Sequence, residues 1–208
     1  GARPDAHREV VDELLRRSIA TEEELLDFHA TLVAARRWDE ARAFAGRFPD
    51  LPLEPVPAIE DRVTDDQAPA YLRHDPKTGA LVREAFAPGT GTMLLVISSP
   101  GCGFSRRAMA AIAADPALDQ ALPARRLYLM PTFGGLHLGP TTRWNADEPD
   151  FPHVLVDQPA RWPQVVSWGT PQFLFLRDGE LVETVTGWPG DEQAGVLVAA
   201  ARRAADVR

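Results

Sequence analysis

Cys102, the only cysteine of the chain, lies in the stretch TMLLVISSPGCGFSRRAM at residues 92–109. Its neighbours are of the kinds that turn a thiol into a nucleophile. Met93 to Ile97 is a short continuous apolar run, read as a strand buried on both faces, and Pro100-Gly101 ends it. From Ser105 to Ala114 the alanine-rich, arginine-bearing composition predicts a helix. Cys102 therefore falls at the junction. There, helix-terminal N–H groups and the positive end of the helix dipole stabilise a thiolate, and Arg106 and Arg107 add charge close by, so the expected pKa lies below that of an ordinary cysteine. Ser105 can hydrogen-bond the thiolate. A hydroxyl is, however, far too weakly acidic to resolve a disulfide at neutral pH, so a second, external thiol must release whatever mixed disulfide Cys102 forms.

Cys102-Gly103-Phe104-Ser105 matches the four-residue signature of the monothiol glutaredoxins, and strand, signature and helix together resemble the active-site corner of the thioredoxin fold. A second segment, Gly169-Thr170-Pro171-Gln172-Phe173-Leu174-Phe175-Leu176-Arg177-Asp178-Gly179-Glu180-Leu181-Val182, resembles the thioredoxin segment in which a Thr-Pro pair, its proline cis, precedes a strand, a tight turn and a closing strand. The resemblance covers roughly the last two-thirds of the chain. It implies an α/β, thioredoxin-like fold, a central mixed sheet flanked by helices, with an all-helical appendage in front of it. Phe151-Pro152, Asp157 and Trp168-Gly169-Thr170-Pro171 are similar to the longer thioredoxin-like proteins of the bacterial envelope, which insert a strand and helix before the cis-proline strand.

The resemblance also assigns expected roles. Cys102 is the nucleophile and Ser105 its stabiliser; Gly103, Phe104 and Arg106 flank the substrate; Thr170 and Pro171 orient it, presenting main chain to an extended partner as an added strand pairs with a sheet edge. Gly190-Asp191 loosely resembles the pair that holds the glutamyl end of glutathione, an ordinary helix N-cap being the other reading of Asp191. Two departures stand out. The lysine that glutaredoxins usually carry shortly before the cysteine is missing from Val96-Ile97-Ser98-Ser99-Pro100, and the buried acid of thioredoxins corresponds to Val96. No cofactor is expected at the site, with glutathione as the candidate small thiol.

A hydrophobic fraction of 45% with 25% charged residues fits a globular chain with ample core, and a net charge of −8 with scattered basic residues argues against nucleic acid or a membrane surface as partner. No apolar run approaches the length of a membrane span. The chain begins Gly-Ala-Arg-Pro without Met, which suggests a processed product and a periplasmic or secreted location, cytoplasmic being the alternative. The oligomeric state is open.

Residues 1–50 predict three helices: an amphipathic one over 5–19, a second entered through the Thr21/Glu24 capping-box pattern, and a third capped by Asp39. Their expected use is as a helical cap packed on the main domain, a partner-binding module being the rival. Pro49, Pro52, Pro55 and Pro57 mark a linker over 51–68, and the thioredoxin-like domain occupies 69–208. Within it the turn composition Asp75-Pro76-Lys77-Thr78-Gly79 predicts a hairpin, 126–130 a parallel strand, 153–156 another, and 191–205 a closing helix with an acidic first turn. The Gly/Pro-rich stretch 131–152 is long for a loop, so it is either a functional insertion or holds further structure. The histidines, His137 and His153 included, lack metal-ligand spacing, and the tryptophans read as core or as the rim of a peptide groove.

These residues support thiol–disulfide exchange with protein or low-molecular-weight thiols and disulfides as partners. The alternatives are a redox-inactive binding or chaperone module, motivated by Ser105 and Val96, and a glutathione-linked iron–sulfur carrier.

Overall fold

Thr92–Ile97 (β4) is buried from its second residue onward because its side chains meet apolar partners on both faces. Leu94 and Val96 pack on one side against the helices Gly103–Ala114 (α4), Pro116–Ala121 (α5) and Gln193–Asp206 (α7), through Ala108, Met109, Ile112, Leu118, Leu197, Ala200 and Ala204. Met93, Leu95 and Ile97 pack on the other against Phe86, Leu129, Val154, Trp162 and Val165. This is the period-two alternation of a central strand. In this computed structural model, residues 4–132 and 135–206 are described.

Contacts divide the chain into two units, Ile59–Pro131 with Leu138–Arg208, and Gly1–Ala58 with Thr132–His137. The first holds an eight-stranded sheet in the order β1-β3-β2-β6-β5-β4-β7-β8. The strands are Ile59–Asp61 (β1), Ala70–His74 (β2), Leu81–Ala85 (β3), β4, Arg126–Met130 (β5), His153–Val156 (β6), Gln172–Arg177 (β7) and Glu180–Thr186 (β8). β4, β5 and β6 run parallel, β7 lies antiparallel to β4, and β8 closes the hairpin. Parallel strands joined through a helix, an antiparallel hairpin and a terminal helix constitute the thioredoxin-like fold, here widened by β1, β2 and β3. At the tip of the last hairpin Asp178 and Gly179 take φ of 50° and 88°, the left-handed pair that a tight two-residue turn requires.

Several expectations need correction. The stretch expected to be linker contains β1, a short edge strand parallel to β3. Of the two readings of 131–152, further structure is the one found, as the helix Leu138–Asp147 (α6). The closing helix begins at Gln193, so Asp191 is neither its N-cap nor in its first turn; Asp191 lies in the preceding turn, where its carbonyl accepts from Ala194 N–H. Between β6 and β7 the inserted helix is a single 3-10 turn, Pro159–Arg161.

Arg83 on β3 is the main buried charge of the sheet. Its guanidinium holds Asp157 Oδ2 at 2.9 Å, Asp61 Oδ2 at 2.9 Å and Asp66 Oδ1 at 3.0 Å, with only 8% of the Arg83 side chain and 2% of the Asp157 side chain exposed. Burial alone would lower the Arg83 pKa, but the carboxylates outweigh it and hold the guanidinium ionised.

The other unit is helical: Pro4–Arg16 (α1), Glu22–Ala34 (α2) and Trp38–Arg47 (α3) bury Val11, Phe28, Leu32, Val33, Ala41 and Phe44, with the Phe28 and Phe44 rings edge to face at 5.0 Å. Thr21 and Glu24 form the reciprocal capping box at the entry to α2. Asp39 does not cap α3; Arg37 occupies the N-cap without a side-chain capping bond, and the Asp39 carboxylate instead accepts from Arg42 at 2.5 Å. Within this unit Leu136 N–H donates to Glu54 Oε2 at 2.7 Å.

Candidate active site around Cys102

The site is built by sheet register. Ile97, the last residue of β4, pairs with Gln172, the first of β7, so the loop leaving β4 and the loop entering β7 lie side by side at one end of the sheet. The first of these loops carries Cys102 and the second carries Thr170 and Pro171. Cys102 is the N-cap of α4 and its own side chain makes no capping bond, which leaves the helix-terminal N–H groups of Phe104 and Ser105 directed toward the sulfur. The half-buried thiol donates to the carbonyl oxygen of Thr170 at 3.4 Å.

Hydrogen bonds hold both loops in shape. Ser99 O accepts from Cys102 N–H at 3.0 Å, Ser99 Oγ from Gly101 N–H at 3.2 Å, and Ser105 Oγ from Ser99 N–H at 3.4 Å. On the facing loop Gln172 Nε2 donates to the carbonyls of Ser167, at 2.7 Å, and Gly169, at 2.8 Å, and Pro171 O accepts from Gly187 N–H. The Thr170–Pro171 peptide is cis. Gln172 is a positioning residue whose signal in the sequence is a polar side chain opening the otherwise apolar run Gln172-Phe173-Leu174-Phe175-Leu176.

Opposing influences set the Cys102 pKa. Burial raises it, and the neutral thiol is further favoured by its bond to the Thr170 carbonyl. The Thr170 hydroxyl, the N–H and hydroxyl of Ser105 and the N–H of Phe104 all stabilise the thiolate and outweigh burial, so the pKa is lowered. The buried Ser105 thus contributes through both its backbone and its side chain. Gly103 opens α4 beside the sulfur. Phe104 is 49% exposed and the Arg107 guanidinium lies over its ring at 4.6 Å. Arg106 is exposed, and its N–H donates to the Cys102 carbonyl. Asp191 is exposed, in the turn before α7.

Val96 is fully buried among Ala108, Met109 and Phe173. The titratable group near the end of β4 is instead His153, whose Nε2 lies 2.5 Å from Ser98 Oγ while its Nδ1 lies 3.0 Å from Phe151 O. A carbonyl only accepts, so Nδ1 carries the proton and Nε2 accepts from the Ser98 hydroxyl. Burial pushes the His153 pKa down to about 4. Among the described residues no three His, Cys, Asp or Glu side chains gather as a metal site, and no helix is long and apolar enough to cross a membrane.

Among solved structures the chain is similar to a secreted Mycobacterium tuberculosis disulfide oxidoreductase homologous to E. coli DsbE, at 19% identity over 64% of this chain and 96% of that one, with a TM-score of 0.43. It is also similar to a candidate thioredoxin from Neisseria meningitidis, at 17% identity over 68% and 93% of the two chains and a TM-score of 0.41. A candidate protein disulfide isomerase from Bacteroides thetaiotaomicron is 16% identical over 67% and 88%, with a TM-score of 0.45. No family model matches the chain, and no curated protein does.

Proposed function

We propose that this chain performs thiol–disulfide exchange through Cys102 alone. The observation that carries the reading is the placement of a half-buried, acidified thiol at the N-terminus of α4 and 3.4 Å from the Thr170 carbonyl, where the partner's chain has main-chain atoms to pair with. The Cys102 thiolate attacks one sulfur of a disulfide; a new S–S bond forms, the old one breaks, and the other sulfur leaves as a thiolate with the bonding electron pair. Ser105 stabilises the attacking thiolate and cannot resolve the product, so a second external thiol releases it, with glutathione as the small thiol proposed for that step. Such partners persist where disulfides do, in the bacterial periplasm or outside the cell.

A redox-inactive binding module is the second reading, favoured by the fully buried Val96, which leaves the core under α4 without a carboxylate at that position. Trapping separates the two. Wild-type protein and Cys102→Ala are exposed to an oxidised partner pool, quenched with acid and compared on non-reducing gels with mass spectrometry; exchange requires adducts that only the wild type forms. Equal capture by both proteins would leave binding without chemistry.

A further inference from the structure

We propose that the Cys102 site selects disulfides carrying negative charge beside the reacting sulfur, and that Arg106 and Arg107 make the selection. This rests on Cys102 being the exchange nucleophile. The chain as a whole carries −8, and its field repels an approaching anion. Most of its arginines are already engaged: Arg73 with Glu84, Arg83 with Asp157, Arg126 with Asp119 and Arg203 with Glu183 are examples. Among those that are not, Arg106 and Arg107 are the two that stand on α4 after Cys102. Both are exposed, and among the described residues neither makes an ion pair or a side-chain hydrogen bond. Arg107 is nevertheless held in place. Its guanidinium stacks on the half-exposed Phe104 ring, and its Nη1 would stand 4.0 Å from a Cβ on Gly103, the residue next to Cys102. Arg106 stands one helical turn after Cys102, its main-chain N–H bonded to the Cys102 carbonyl.

Two unpaired positive charges in an acidic chain thus stand near the start of the helix that its single thiol caps. During the attack negative charge spreads over three sulfurs, and a carboxylate on the partner adds to the repulsion; the guanidinium groups offset both. Such a partner is either a small carboxylate-bearing disulfide such as glutathione disulfide, or an acidic segment of a protein disulfide.

The test measures second-order rates of mixed-disulfide formation with three small probes: 3,3′-dithiodipropionate, bis(2-hydroxyethyl) disulfide and cystamine, which are anionic, neutral and cationic. Each rate is divided by that of 2-mercaptoethanol with the same probe, which removes the differing acidity of the leaving thiols; at low ionic strength, about 10 mM, where screening is weak, the anionic probe should then react about tenfold faster than the cationic one, and the gap should close as salt rises. In Arg106→Gln/Arg107→Gln the ratio of the anionic to the neutral rate should drop below one, because only the overall negative field remains. Glutathione disulfide and an acidic peptide disulfide, compared under the same conditions, distinguish the two sources, and either one outpacing the neutral probe supports the proposal. Equal rates for the three small probes, or a ratio that the double substitution leaves unchanged, overturn the proposal and leave the exchange reading standing. No reaction with any probe overturns the exchange reading itself and this proposal with it.

Discussion

Cys102 Sγ and the carbonyl oxygen of Thr170 lie 3.4 Å apart although 68 positions separate them in the chain. The pairing of Ile97 with Gln172 produces this approach, since it aligns the ends of β4 and β7 and the loops that leave them. The carbonyl holds the neutral thiol. Once the proton leaves, the hydroxyls of Thr170 and Ser105 and the helix N–H groups hold the thiolate.

A lowered pKa makes the thiolate available on the acid side of an ordinary cysteine. Alkylation of Cys102 by iodoacetamide should therefore reach half its maximal rate below about pH 8.5. Ser105→Ala should shift the midpoint upward and slow alkylation at pH 7 by about tenfold, the lower end of the worth of one hydrogen bond to a charged group. A wild-type midpoint at or above that of an unperturbed cysteine would refute the electrostatic account of the site.

Arg83 and Asp157 are buried together, so removing Arg83 leaves Asp157 an uncompensated buried charge. Arg83→Leu should destabilise by about 3–5 kcal/mol in urea unfolding, whereas Arg83→Leu/Asp157→Leu should recover much of that loss. Asp61 and Asp66 reach the same guanidinium from more exposed positions, so Asp157→Leu should cost less than Arg83→Leu. Additive losses in the double variant would show that the pair is not coupled.

His153 titrates near 4 in the folded chain and near 6.5 when unfolded. The unfolded chain then binds the proton first as pH falls, so this group's contribution to stability is fully present above about 6.5 and is lost as pH drops through about 4. The total is roughly 3 kcal/mol. Unfolding measured across that window should slope downward toward acid, and His153→Gln should flatten it. An unchanged slope in the variant would mean that other groups dominate acid sensitivity.

Much of the fold was legible because its signals are local. The apolar run into Pro100-Gly101 announced β4, the Thr21/Glu24 spacing announced the start of α2, and Asp178-Gly179 announced the last hairpin. α6 was hidden because Gly139 and Pro140 sit in its first turn, where proline costs no helical bond, and because only Thr141 of the helix is fully buried, so no apolar stripe shows. β1 was hidden because a three-residue edge strand with two exposed acids has no periodicity to read. Asp39 misled because a carboxylate near a helix start can either cap the backbone or pair with a following arginine, and Arg42 lies within its reach.

By itself the sequence determined that one thiol stands at a helix entrance, with a serine where a resolving cysteine would act, because those features depend on neighbours a few residues away. Tertiary structure alone decided that the Thr170 carbonyl is what bonds that thiol, that Gln172 clamps the facing loop, that Ser98 bonds His153, and that Arg83 lies among three carboxylates. Each of these depends on strand order and register. Those are set by burying both faces of one sheet at once, and no short window of residues carries that requirement.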